Sequence, residues 1–367
     1  MTGNIFGERF KIVSFGESHG KCVGVVIDGC PAGLELNEED IQKELNLRKP
    51  GISTITTQRI EEDRVEILSG VFNGYTTGAP ICMIIWNRDI RSEDYESIRY
   101  MPRPSHADYF AYVKYGGFND YRGGGRFSGR ITAGFVMAGA VAKKLLSKVL
   151  GVEVTAYTLE IGGERAENFT LEDAKRYRYE NDVRAPTIDA ANRMREKILE
   201  AMSRGDSIGG IIECIVTGLP IGLGEPVFDG LDSDLAKAVL SIPAVKGVEF
   251  GAGFKAARMF GSQHNDPFTI ENNEIRLEKN DAGGIVGGIS TSAPIIFRVV
   301  VKPPSSIKIK QRTVDIRRRI PVEVTISGRH DPCIVPRAVP VVEAMTAIVL
   351  VDHAIRYGVI PPLIKNI

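Results

Sequence analysis

The chain has 367 residues, of which 43% are hydrophobic and 25% charged, and its 46 basic residues balance 46 acidic ones. These totals describe a soluble globular protein with an ample core. A net charge of zero excludes a global attraction to nucleic acid or to an anionic membrane surface.

The five cysteines, Cys22, Cys30, Cys82, Cys214 and Cys333, form no C-x-x-C pair. They read as reduced, buried thiols of a cytoplasmic protein, with neither a disulfide framework nor a metal site. The first residues hold no continuous apolar stretch of the signal-peptide kind. The apolar runs near 131–142 and 344–351 fall short of the roughly 18 residues that a membrane span requires.

Residues 9–15 and 22–27 are rich in β-branched and aromatic side chains and predict strands. Asn37–Leu47 predicts a helix with Asn37 as its N-cap. A polar, Thr-rich loop follows over 48–60, then strands over 64–72 and 80–86. Ile131–Leu150 predicts a helix, apolar on every side in its first half and therefore buried, with Gly151 as its stop. Thr187–Arg204 is amphipathic, with Ala191, Met194, Ile198 and Met202 at helical spacing. A short helix over Ser233–Ser241 ends before Pro243. Strands follow over 295–301 and 321–326, and a last helix over Pro340–Tyr357, with Pro340 in its first turn and Gly358 beyond its end.

Two segments resemble each other. GESHGKCVGVVIDGCPAGL over 16–34 and GDSIGGIIECIVTGLPIGL over 205–223 share Gly, Ser, Gly, Gly, Pro, Gly and Leu at one offset. Ser128-Gly129-Arg130 precedes the first long helix, and Ser327-Gly328-Arg329 lies shortly before the last. This predicts a tandem duplication within a single domain over 1–367, with halves of about 1–190 and 191–367. Ile208 stands in the second copy where the first has His19.

The densest chemistry lies between Arg99 and Gly134. It holds Arg99, Arg103, Arg122, Arg126, Arg130, His106 and the run Gly123-Gly124-Gly125. Arginine forks bind phosphate and carboxylate, and glycines let backbone approach a ligand. A long, repeated, disordered RGG segment would bind nucleic acid, but this one leads directly into an apolar helix. A site for a phosphorylated, multiply anionic ligand is the better reading. No G-x-x-x-x-G-K-[ST] occurs, which argues against a P-loop. His19, between glycines, is either a cleft residue or a turn histidine bonded to backbone. His106 is either an acid–base group or a histidine capped by Asp108. Arg329, His330 and Asp331 form a cluster that suits acid–base chemistry or a surface ion pair. The run from Lys308 to Arg319 reads as a solvated face.

Taken in order, GESHG, RPSHADY, DYRGGGRFSGR, GEPVFDGLDSDLA, NDAGGIVGGIS, KPPSSI and GRHDPC resemble the chorismate synthase family from about residue 3 to 357. The resemblance implies an α+β fold, a β-α-β sandwich with helices packed between antiparallel sheets, and a homotetramer. It implies a carbon–oxygen lyase that converts 5-enolpyruvylshikimate 3-phosphate to chorismate and phosphate by 1,4-anti elimination, the last common step of the shikimate pathway. Reduced FMN is the implied cofactor, and NADPH or an external flavin reductase its implied source of electrons. With no long insertion in the chain, externally reduced flavin is the expectation.

The resemblance also implies roles. His19 would protonate the departing phosphate, and His106 would serve the flavin near N1 and the C2 carbonyl. Asp331 would take part in removing the C6 proton by way of flavin N5. Arg48, Arg130 and Arg329 would hold substrate. Arg126, Phe127, Ser128, Ala244, Gly287, Lys302, Pro303, Pro304, Ser305, Ser306 and Arg329 would line the FMN site, and Arg48 would also contact NADPH. Thr54 and Pro243 depart from the family pattern, which carries a second basic residue and an asparagine there, and Gly129 replaces a frequent alanine.

Overall fold

The structure is a computed structural model that describes residues 3–49, 51, 55–56, 62–88, 93–96, 99–326, 328 and 330–364. In chain order the elements that position the site are β1 (Ile5–Phe6), β2 (Lys11–Gly16), β3 (Cys22–Asp28), α1 (Glu38–Arg48), β4 (Val65–Ser69), β5 (Ile81–Trp86), α2 (Asp108–Lys114) and α3 (Thr132–Leu150). Then come β6 (Glu153–Ile161), β7 (Glu164–Arg165), α4 (Ile188–Ser203), β8 (Gly210–Thr217), α5 (Leu231–Leu240), β9 (Val245–Phe250), β10 (Ile295–Val301) and α6 (Val335–Arg356).

Two antiparallel five-stranded sheets result, in the orders β1-β2-β3-β5-β4 and β9-β10-β8-β6-β7. In the first, Val25 stands opposite Ser14 and Met83; in the second, Cys214 stands opposite Ala156 and Phe297. Helices α1, α3, α5 and α6 pack between the sheets, which is the helix-filled sandwich of an α+β fold. Strand β8 shows how sequence selects the inner face. Ile212, Cys214 and Val216 point inward and are buried, while Ile211, Glu213 and Ile215 alternate outward.

The predicted elements reappear with informative shifts. Asn37 caps α1 through a reciprocal bond with Asp40, and Gly151 ends α3 at φ 66°. Every α3 residue from Thr132 to Ala142 is buried. Helices α3 and α6 cross at Gly139, where an added Cβ would lie 2.2 Å from the Ala344 Cβ. On α4 the buried stripe continues to Ala201, and Met202, expected inside, is 40% exposed.

The last helix corrects the sequence reading most. It begins at Val335, so Pro336 occupies the first turn and Pro340 lies inside the helix. Pro340 has no N–H for the carbonyl four residues earlier. Buried Arg184 takes that place, donating from Nε to the Pro336 carbonyl at 3.1 Å. α6 is also the one helix among the described residues long and apolar enough to cross a membrane, and 94% of its apolar 18-residue stretch is buried.

The connectivity repeats. Each sheet contains two paired antiparallel strands, then a helix, two further strands and a long helix: β2-β3-α1-β4-β5-α3, and β6-β8-α5-β9-β10-α6, but β2 and β3 are joined by a short turn whereas β7 and α4 intervene between β6 and β8. The second sheet starts at Glu153, because β6 pairs with β8. A duplication, with halves meeting near residue 190, remains a proposal.

Candidate functional site

The glycine run folds into a tight turn in which Gly123, Gly124 and Gly125 have φ of 59°, 82° and 52°. L side chains rarely hold such angles. The turn also leaves no room for them. A Cβ on Gly123 would lie 2.8 Å from Ser18 Oγ and 2.9 Å from the His19 ring; one on Gly124 would lie 3.2 Å from the His106 ring. Two histidine motifs far apart in sequence therefore rest on adjacent residues of a third. His19 is buried and meets the Tyr95 ring edge-on, 5.2 Å between centroids.

Beside this turn opens a cavity of about 570 Å³. Its walls come from the end of α1, the loop between β5 and α3, the α5–β9 connection, the segment after β10 and the first turns of α6. Arg48, Arg103, Arg130, Arg337, Lys246 and Lys302 make the wall cationic; Ile242, Pro243, Ala244 and Phe127 supply an apolar side. Burial and the neighbouring Lys246 push the Lys302 ammonium below its ordinary pKa.

His106 is held by a carboxylate that Arg103 already occupies. Asp108 accepts from Arg103 Nε and Nη2 at 2.8 Å and from the Arg103 backbone N–H at 3.0 Å. Asp108 Oδ1 also lies 2.6 Å from His106 Nδ1. A carboxylate only accepts, so Nδ1 carries the proton and Nε2 is an acceptor. Arg103 Nη2, 3.1 Å from Nδ1, shares the same acceptor. Burial lowers the His106 pKa, the Asp108 bond opposes this, and Arg103 reinforces it, so the net shift is downward. The Asp108 cap is present, and the capped histidine lines the cavity.

A second carboxylate, Asp63, organises two arginines. Its side chain is fully buried, paired with Arg48 Nη1 at 2.8 Å and with Arg130 Nη1. Burial alone would raise this carboxyl; Arg48 and then Arg130 outweigh it and hold it below the usual range. Arg48 further donates to Thr132 Oγ1 at 3.1 Å and to the Gly129 carbonyl at 3.2 Å. At 2% exposure Arg48 is buried, and it lines the cavity.

The cavity gathers Arg48, His106, Arg126, Phe127, Ser128, Arg130, Ala244, Lys302, Pro304, Ser305, Ser306 and Asp331. His19 stands just behind Ser18 and Gly123, and Pro303 lies within the 302–306 wall segment. Two expectations shift. Arg126 lines the cavity, but its guanidinium turns away to donate to the Gly16 carbonyl at 2.8 Å, to Asn4 and to Ser14. Gly287 lies outside the cavity, in a two-residue hairpin turn beside Gly288. Arg329 and Thr54 fall outside the described residues. Pro243 and Gly129 both line the cavity.

Sequence reading missed Asp63, Arg337, Lys246 and Ser18. Asp331 pairs with Arg337, six residues further along. No motif flags Asp63, because its importance comes from two arginines distant in sequence.

A filled sandwich with a cationic cavity and two imidazoles on one glycine turn defines an enzyme for a multiply anionic small molecule. The comparisons narrow this. The family model described as "Chorismate synthase" matches residues 10–355. A chorismate synthase of Korarchaeum cryptofilum is 60% identical over 356 residues, covering 97% of this chain and 98% of that one. Those of Dehalococcoides mccartyi and Methanosarcina acetivorans are each 56% identical over 99% of this chain, covering 100% and 99% of theirs. A solved structure, "Crystal Structure of Chorismate Synthase", superposes with a TM-score of 0.75 at 31% identity, covering 96% of this chain and 93% of its own. The chain belongs to the chorismate synthase family, carbon–oxygen lyases acting on phosphate.

Proposed function

We infer that the chain converts 5-enolpyruvylshikimate 3-phosphate to chorismate and phosphate by 1,4-anti elimination, with reduced FMN as its bound cofactor. The bond from C6 to hydrogen and the bond from C3 to the phosphate oxygen break, the ring gains a double bond, and phosphate leaves as an anion. The observation that carries this reading is one cavity holding Arg48, Arg130 and Arg337 beside the turn that seats His19 and His106.

The chain's residues take roles that follow from their chemistry. Arg48 and Arg130 bind the substrate's phosphate and carboxylates, where fixed donors lower the cost of developing charge. His19 delivers a proton to the departing phosphate, and Asp331 serves the C6 end. The donor set fits a flavin phosphate. Lys302, Ser305 and Ser306 suit the phosphate, Ile242, Pro243, Ala244 and Phe127 suit a flat ring, and the acceptor Nε2 of His106 suits an N–H edge. Reduced flavin, when bound, supplies an electron-rich ring while the protein excludes water.

The test is anaerobic. The protein is mixed with substrate and chemically reduced FMN, with oxidised FMN as control, and chorismate is followed. Chorismate with reduced flavin alone is expected; chorismate with no flavin at all would contradict the cofactor reading. Repeating the assay with oxidised FMN plus NADPH separates a chain that reduces its own flavin from one that depends on an external reductase, and we propose the latter. A homotetramer in the cytoplasm completes the proposal, and sedimentation velocity checks the assembly.

A further inference from the structure

We propose that Asn87 is a positioning residue that ties the turn carrying His19 to the guanidinium of Arg130, so that the proton donor and a substrate anchor share one frame. This rests on the roles proposed above for those two residues. Glu17 to Gly20 form a turn closed by the Gly20 N–H on the Glu17 carbonyl at 3.1 Å, with Ser18 and His19 at its centre. Asn87, one residue past β5, spans that turn. Its Nδ2 donates to the Glu17 carbonyl at 3.0 Å and to the Gly20 carbonyl at 2.9 Å. Its Oδ1 accepts from Arg130 Nε at 2.9 Å.

This orientation of the amide has no alternative. Arginine only donates and carbonyls only accept, so Oδ1 must face Arg130 and Nδ2 must face the turn. The backbone N–H of Asn87 adds a bond to the Lys21 carbonyl at 3.0 Å, anchoring the residue to the start of β3. Arg130 is meanwhile held at Nη1 by the buried Asp63. The chain of contacts therefore runs from Asp63 through Arg130 and Asn87 to both ends of the His19 turn. Asn87 itself does not line the cavity, so any effect on turnover must pass through its neighbours.

The arrangement has a functional logic. An acid placed about 1 Å from its best position loses on the order of 10²-fold in rate. His19 sits on a short turn, and the place of its ring against Gly123 and Tyr95 depends on where that turn is held. Fixing both ends of that turn to an arginine that grips the same substrate removes this freedom.

The test uses two variants of the full-length protein in the anaerobic assay with reduced FMN. Asn87→Asp keeps an acceptor for Arg130 Nε and removes both donors to the turn. Asn87→Ala removes all three bonds. We expect Asn87→Asp to lower kcat about 10- to 100-fold with little change in substrate KM, and Asn87→Ala to raise KM as well. Each is then combined with His19→Ala. If Asn87 acts through His19, Asn87→Asp costs almost nothing further in that background. An equal loss in both backgrounds, with flavin affinity and circular dichroism unchanged, overturns the proposal. Should Asn87→Ala fail to fold, Asn87→Asp and the His19 ring resonances in NMR still decide: unaltered ring shifts and line widths argue against a positioning role. Near-normal turnover in His19→Ala alone is a different failure. It removes His19 from the chemistry, and the positioning role falls with that reading.

Discussion

His19 and His106 rest on consecutive glycines, Gly123 and Gly124, of one left-handed turn. Neither imidazole has this position without the turn, and the turn tolerates no side chain beneath them. The spacing between the two rings is thus set by backbone. The same loop supplies Arg130, so the proposed acid–base pair and the proposed anion anchor meet one segment of the chain.

Gly123→Ala is expected to disrupt catalysis more than stability. A left-handed alanine costs roughly 1–2 kcal/mol, but the new Cβ also collides with Ser18 Oγ and the His19 ring. We expect kcat to fall about 10²-fold or more, consistent with a displaced acid. Gly124→Ala meets the His106 ring less severely and should cost less. Equal, near-normal turnover in both variants would show that ring placement does not limit the reaction.

His19→Ala and His106→Ala are each expected to lower turnover by roughly 10²–10⁴, with FMN binding largely kept. Single-turnover measurements on preformed enzyme–flavin complexes check this, and full activity in either variant removes that residue from the chemistry.

The pKa of His106 should lie below its ordinary value of 6.5, since burial and Arg103 outweigh the Asp108 bond. The unfolded chain then takes up the proton first. The resulting stabilisation is fully present above about pH 6.5 and is lost as pH falls towards the folded value. An NMR titration of the His106 Cε1 proton should give a midpoint below 6.5. Asp108→Asn removes the group that opposes the shift and leaves Arg103 unpaired, so the midpoint should fall further. A midpoint that rises in this variant contradicts the account.

Asp63→Asn leaves Arg48 and Arg130 without their buried counter-charge. Breaking such a pair costs about 3–5 kcal/mol, measurable by urea unfolding. The Asp63 carboxyl is depressed in the folded state, so its contribution is present above the unfolded value of 3.8 and disappears as pH falls through the folded one. A variant as stable as the parent would mean that the two arginines find other partners.

Arg184→Ala should cost about 1–3 kcal/mol, because it leaves the Pro336 carbonyl buried and unpaired. In a Pro340→Ala background the helix regains its own N–H for that carbonyl, and the loss on removing Arg184 should shrink. Thermal unfolding of the four proteins measures the coupling. Purely additive costs would show that Arg184 acts through its other contacts, with the Leu47 carbonyl and the Tyr179 ring.

Local chemistry was legible in sequence wherever a residue acts on its own neighbours. Asn37 capping α1, Gly151 ending α3, the apolar first half of α3 and the strand over 295–301 all follow from periodicity, caps and stops within a few residues. The ordered motifs likewise marked most of the cavity wall, from Arg126 to Arg130 and from Lys302 to Ser306. Pro340 was misread because a proline in a first turn needs no partner, while one inside a helix needs a donor from elsewhere, and Arg184 is distant in sequence. Asp63 and Asn87 were invisible for the same reason: a lone Asp in a polar loop and a lone Asn after a strand carry no pattern. Only the closing of the two sheets around α3 and α6 brings them to Arg48, Arg130 and the His19 turn. Residue types and local conformation are properties of short segments. The charge balance and the aim of a catalytic side chain depend on what the fold places within hydrogen-bond reach.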